Sequence, residues 1–127
     1  MAWPGNNDLL TQQIIGLAIE VHRHLGPGLL ESTYENCLCY ELEQAGIAFT
    51  REVQLPVVYK SVRLECAYRI DIVAEARLLL ELKSVERLLP IHEAQVLTYL
   101  KLSGLKVGLL MNFNTAVLKD GLRRLHL

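Results

Sequence analysis

Between Tyr68 and Lys83 the chain reads Tyr-Arg-Ile-Asp-Ile-Val-Ala-Glu-Ala-Arg-Leu-Leu-Leu-Glu-Leu-Lys. Two runs rich in Ile, Val and Leu flank a break at Glu75-Ala76. Each run has the length of a strand, and the pair reads as an antiparallel hairpin. The break lacks the Gly or Asn that a two-residue loop favours, so a connection of three or more residues is expected. Side chains alternate faces along a strand. With the turn centred on Ala76, Asp71 therefore falls opposite Glu81, and Arg69 opposite Lys83. One face carries Arg69, Asp71 and Val73 with Leu79, Glu81 and Lys83. The reverse face, Tyr68, Ile70, Ile72 and Ala74 beside Leu78, Leu80 and Leu82, is built for a core.

A slip of one residue would turn a carboxylate into that apolar face, so the register is strongly specified. Carboxylates placed directly opposite each other repel, at a cost of roughly 0.2–1 kcal/mol. Two readings of the charged face remain open. It can take a hard divalent cation such as Mg²⁺ or Mn²⁺, which prefers carboxylate and carbonyl oxygens, with Lys83 orienting or deprotonating a water or stabilising negative charge. Alternatively it is a solvated sheet face with ordinary ion pairs to Lys83 and Arg69.

At 127 residues the chain has the length of a single domain, 1–127, with residues 1–7 flexible. A hydrophobic content of 51% with mean hydropathy +0.23 is ample for a core, which argues against extended disorder. The net charge of −1 supplies no global field toward nucleic acid, so any such binding must be local. Lys119, Arg123 and Arg124 cluster as a solvated helix face would. Cys37, Cys39 and Cys66 form no Cys-x-x-Cys pair and read as free, largely buried thiols in a reducing cytoplasm. Combined with His22 or His24 they match no common zinc spacing. Neither a secretory leader nor a run long enough to cross a membrane is visible.

Asn7 or Asp8 can cap a first helix, Leu9 to Leu25, with Leu10, Ile14, Leu17, Val21 and Leu25 as its stripe. His22 and His24 suit a capping or surface role at its C-terminal end. Gly26-Pro27-Gly28 reverses the chain into a second helix, Leu30 to Ala45, with the stripe Tyr34, Leu38, Leu42 and Ala45. Glu31 lies in line with that stripe, either for the helix dipole or aimed at the Asp71–Glu81 face. Ile47 to Tyr59 reads as a long strand, with an edge or bulge at Pro56. Val62 to Cys66 reads as a separate short strand. Pro90 opens a third helix, Ile91 to Ser103, with His92, Gln95 and Tyr99 along one side and apolar residues over most of the rest. Lys106 to Phe113 is a buried strand reached by a crossover, and a short helix or strand follows around Lys119–Leu125.

Gly28-Leu-Leu-Glu31-Ser-Thr-Tyr34 matches the Gly-x-x-Glu-x-x-Tyr signature of the GxxExxY family. The hairpin resembles the acidic core of the PD-(D/E)XK nuclease superfamily: Asp71 stands for its Asp, and Glu81-Leu82-Lys83 for its Glu-x-Lys. Gln95 and Tyr99 resemble the Gln-x-x-x-Tyr helix of RecB-like members. Lys106 to Phe113 and Leu118 to Gly121 resemble the family's closing segment. The resemblance covers nearly the whole chain and implies an α/β, restriction-endonuclease-like fold, a central mixed β-sheet flanked by α-helices. It also implies that Asp71, Glu81, the carbonyl of Leu82 and Glu31 hold Mg²⁺ or Mn²⁺. Lys83 would position or activate the attacking water at a phosphodiester, Gln95 and Tyr99 would steady the site or touch the substrate backbone, and Arg69 would bind substrate. Gly28 and Tyr34 would be structural.

Two functions are then in play. One is a Mg²⁺-dependent nuclease of DNA or RNA. The other is a non-catalytic module with a nuclease fold that binds or assembles as a homo-oligomer, suggested by the small size, the near-neutral charge and the apolar third helix. A homodimer is compatible with both. Fold alone does not choose between them.

Overall fold

The computed structural model describes residues 8–127. The flexibility expected of residues 1–7, the alternative cap at Asn7 and the state of the Cys66 side chain lie outside the described residues. Helices α1 (Leu9–Leu25) and α2 (Glu31–Gln44) come first, followed by strands β1 (Phe49–Tyr59), β2 (Val62–Ala74) and β3 (Leu78–Lys83). Helix α3 (Pro90–Ser103), β4 (Val107–Asn112), a 3₁₀ turn (Leu118–Gly121) and β5 (Leu122–His126) complete the chain. The strands form one sheet in the order β1-β2-β3-β4-β5. It is mixed: β3 and β4, joined through α3, are parallel, and the other pairs are antiparallel.

The sheet separates two apolar cores. On one side α1 and α2, through Ile14, Val21, Tyr34, Leu38 and Leu42, pack on Ile72, Leu78, Leu80, Leu82, Leu109 and Met111. On the other, Val96, Tyr99 and Leu100 of α3 pack on Val73, Leu79 and Leu110. This is the α/β restriction-endonuclease-like arrangement of a mixed sheet flanked by helices. Gly108 allows α3 to come close, since a Cβ there would lie 3.0 Å from Val96 Cγ1.

Helix α1 starts where Asp8 accepts from the Leu10 amide. Burial raises the Asp8 carboxyl, but bonds from Arg77, Thr11 and that amide outweigh it, and the net shift is downward. Ala45 lies beyond α2 and is exposed, so it is not part of the stripe. His22 is not a surface residue. It is buried, and its Nε2 lies 2.7 Å from the Thr115 carbonyl, a partner 93 positions away. His24 remains exposed, bonded to Glu20. Cys37 and Cys39 are free thiols, and burial pushes that of Cys39 up to about 11, where it is an unreactive neutral group.

Three further differences from the sequence reading have physical causes. Val62 to Cys66 is not a separate strand. It continues into β2, so β1 and β2 form one long arm. As the sequence led one to expect, Pro56 sits on the edge strand at a register shift between Leu55 and Val57. The Lys119–Arg123–Arg124 group is not one helix face, because Lys119 lies in the 3₁₀ turn and both arginines lie in β5. Most consequential is the face switch in β2. Ile72 and Ala74 join the core under α1 and α2, whereas Ile70 joins the core under α3. Residues two apart on a regular strand share a face. Here Arg51↔Ile72 and Val53↔Ile70 pair, while Glu52 and Asp71 between them drop out of the ladder. Glu52 has φ +53°, a left-handed conformation uncommon outside glycine, and the pleat resets around it.

Candidate active site

The β2–β3 hairpin has the register expected from its sequence, with rungs Ala74↔Leu78, Val73↔Leu79 and Ile72↔Leu80. Three residues, 75–77, form the turn. The next rung would be Asp71↔Glu81, and there the backbone ladder stops. The Asp71 amide donates to Glu81 Oε1 at 3.0 Å, and the Leu82 amide donates to Asp71 Oδ2 at 2.9 Å. Each carboxylate thus takes a backbone donor from the opposite strand. β3 itself stays anchored along its other edge, where its pairing with β4 runs through Leu82↔Met111 to Lys83↔Asn112.

Lys83 follows Glu81 on the same edge. Its Nζ lies 3.2 Å from Gln95 Oε1 on α3 and 3.9 Å from Glu81 Oε2. Asp71, Glu81, Lys83, Arg69 and Tyr99 line one cleft of about 480 Å³, together with Gln54, Ala67 and Tyr68. Glu81 is 3% exposed. Burial, then the neighbouring charge of Asp71, pushes its carboxyl up to about 8, despite the amide bond and Lys83. Asp71 is raised as well, mainly by burial, with the charges of Glu31 and Glu52 adding to the shift. Tyr99 is raised by burial and then by Glu81 and Asp71. Carboxyl groups raised by burial and by a neighbouring carboxylate are common at functional centres.

Of the other candidates, Glu31 stands at the first turn of α2 and is exposed. Its Oε2 accepts from the Ser84 amide at 3.2 Å, one residue past Lys83. Gly28 (φ +94°) and Tyr34 explain how α2 comes to this position. The Tyr34 hydroxyl donates to the Gly26 carbonyl at 2.5 Å and accepts from the Leu29 amide at 3.1 Å. Its ring stacks on Phe113, with centroids 4.6 Å apart. Arg69 lies on the rim, paired with Glu52 at 3.3 Å. His92 does not share the side of Gln95 and Tyr99 in function. Its Nδ1 accepts from the Leu89 amide at 2.9 Å and caps its own helix.

Two acidic groups escaped the sequence reading. Ligand atoms of Glu35, Glu52 and Asp71 all lie within 4.8 Å of one another. Glu35 follows Glu31 by four positions and so shares its helix face, a signal the sequence did contain. Glu52 carried none. Glu35 is held by Arg51 at 2.9 Å and Glu52 by Arg69, so guanidinium groups already occupy oxygens of this trio. On Asp71 and Glu81, backbone amides hold one oxygen each, which leaves a second oxygen per carboxylate. Asp71 belongs to both groups, so a cation held on it could draw on Glu81, whose Oε2 lies 3.9 Å from Lys83, or on Glu35 and Glu52. An all-oxygen donor set of this kind suits a hard divalent ion.

A model of the PD-(D/E)XK nuclease superfamily matches residues 8–125, a span that takes in all three helices, β1 to β4 and all but the last residue of β5. No curated protein and no solved structure matches the chain.

Proposed function

The chain belongs to the PD-(D/E)XK nuclease superfamily, and from that premise we propose that it is a metal-dependent nuclease whose site is built on Asp71, Glu81 and Lys83. The observation that carries this reading is the end of the β2–β3 ladder. There the buried carboxyl of Glu81 and the half-buried one of Asp71 interleave, with Lys83 3.9 Å from Glu81. Asp71, Glu81 and the carbonyl of Leu82 would hold Mg²⁺ or Mn²⁺, with Glu31 joining from α2. Such an ion, when bound, supplies charge neutralisation and Lewis-acid polarisation at a phosphodiester.

The remaining steps belong to the chain's own side chains. Lys83 places a positive charge in the cleft, steadied by Gln95, where it can orient the attacking water and stabilise charge that develops on phosphate oxygens. Tyr99 closes the cleft from α3, and Arg69 on the rim meets the substrate backbone. The substrate class is nucleic acid, DNA or RNA. The Gly28–Glu31–Tyr34 spacing supports placement in the GxxExxY branch.

A calorimetric Mn²⁺ titration of the wild type beside Asp71→Asn and Glu81→Gln tests this reading. Binding by the wild type that both variants lose is the expected outcome. A wild type silent toward Mn²⁺, both alone and with a short oligonucleotide, would sink it.

One observation favours the second reading, a non-catalytic module that self-associates. The outer part of the β1–β2 arm exposes Val58, Tyr59 and Val62 at 62%, 62% and 55%. Light scattering across a concentration series, with Val58→Glu as the control, would detect a homodimer formed through it.

A further inference from the structure

We infer that the site takes an unpaired nucleic-acid strand, with one base lying on Tyr68. This inference rests on the nuclease reading and names the substrate form of that same site. A second concavity of about 250 Å³ adjoins the carboxylate cleft, lined by Tyr68, Ile91, Ala94, Gln95, Thr98 and Tyr99. Tyr68 and Tyr99 line both spaces, and Gln95 reaches from the second into the first through its bond to Lys83. The two spaces differ in chemistry. The cleft is charged, with Asp71, Glu81, Lys83 and Arg69. The adjoining shelf carries no charged side chain, and its floor includes Ile91, which is 67% exposed.

A nucleotide has this same polarity, an anionic phosphate joined to a flat, largely apolar base. A phosphate held at Lys83 brings the neighbouring base over the shelf. Tyr99 is 5% exposed and its ring is tilted 49° from that of Tyr68, with centroids 5.8 Å apart. The two rings therefore do not cover each other face to face. Tyr68, at 44% exposed, has surface to offer.

The same geometry argues against an intact duplex. Bases inside a duplex are already stacked, and only an unstacked base can lie on a tyrosine. Duplex binding also rests on neutralising many phosphates with Lys and Arg. Here Lys83 and Arg69 are the cations lining the cleft, and the whole chain has a net charge of −1. Stacking does not need such a field.

The test is fluorescence of a 2-aminopurine oligonucleotide, single-stranded and then annealed, titrated with the wild type, Tyr68→Phe, Tyr68→Ala and Ile91→Glu without divalent ions, Mg²⁺ being added only for the cleavage assay. Cleavage is followed in parallel. Stacking predicts quenching with the single strand, affinity near wild type for Tyr68→Phe, and about five- to hundredfold weaker binding for Tyr68→Ala. Ile91→Glu should weaken binding from the other side of the shelf without touching Tyr68. Equal affinity for duplex and single strand, or binding untouched by Tyr68→Ala and Ile91→Glu, would overturn the inference. Because cleavage is read separately, the two ideas can fail independently. Cutting without strand preference leaves the nuclease reading standing and removes this one. Single-strand stacking without any cutting does the reverse.

Discussion

The two ends of the β2–β3 hairpin share a register but not a chemistry. At the turn end, Ile72, Val73 and Ala74 pair rung for rung with Leu80, Leu79 and Leu78, and all six are buried apolar residues. At the open end, one step further along the same register, the rung is missing and carboxylates take over the backbone donors. The closed end gains stability from apolar burial and a satisfied ladder. The open end bears the cost of taking the Glu81 carboxyl, and part of Asp71, out of water, offset only in part by amide bonds and Lys83. The candidate site is what the hairpin becomes where its pairing stops, and the closed end is what keeps that opening in place.

If this contrast is right, the largest effect of a single substitution falls on activity, at the open end. Lys83→Ala should lower cleavage by about a hundred- to a thousandfold, as loss of a well-placed electrostatic contact does, while the melting curve stays close to wild type. A variant that cuts as fast as the wild type would remove Lys83 from the site.

The next effect in size is on stability, and its sign is opposite to the usual expectation for a buried residue. Glu81 normally ionises near 4.5, and burial moves it to about 8. Between those values the folded state holds a proton that the unfolded state has released. Stability therefore falls as pH rises through this window, by about 1.4 kcal/mol per pH unit. Above about 8 the carboxylate is ionised in both states and the penalty is complete. Glu81→Gln keeps an oxygen to accept from the Asp71 amide and carries no such penalty. Without metal, the variant should be more stable than wild type by on the order of a few kcal/mol at pH 8, with the gap closing toward pH 4.5. Urea melts at several pH values would measure this, and a gap that did not change with pH would break the link between burial and charge.

The contrast also marks what the sequence could and could not disclose. The register was legible because apolar and charged positions alternate cleanly on both strands, and because a central Ala76 permits only one pairing that keeps Leu78, Leu80 and Leu82 inward. The α2 entry was legible from Gly28 and Tyr34. The reset of β2 at Asp71 was not, because it depends on Glu52 adopting φ +53° without a glycine or asparagine to announce it. Strict alternation accordingly placed Tyr68 and Ile70 on the wrong side. That reset brings Tyr68 beside Tyr99. His22 was misread for another reason, since its carbonyl partner at Thr115 lies 93 positions away and no local spacing encodes it. Glu35 could have been found from its four-residue offset to Glu31.

The smallest expected effect lies at the closed end, and it would show how firmly that end is held. Glu75 and Ala76 have φ of +52° and +57°, and the Arg77 amide closes the turn onto the Ala74 carbonyl at 3.0 Å. Both residues sit where a Cβ is unfavourable. Glu75 is tied to Ala48 at both ends: its amide donates to the Ala48 carbonyl at 2.8 Å, and its carboxylate accepts from the Ala48 amide at 2.7 Å. The side chain of Ala76 has no such role. Ala76→Gly should therefore raise stability by about 1 kcal/mol, whereas Glu75→Gly should gain nothing, because the relief of strain is cancelled by the lost bond to Ala48. Equal gains from both, read as melting temperatures, would mean that the tie to Ala48 contributes nothing and that the turn is held by the apolar rungs alone.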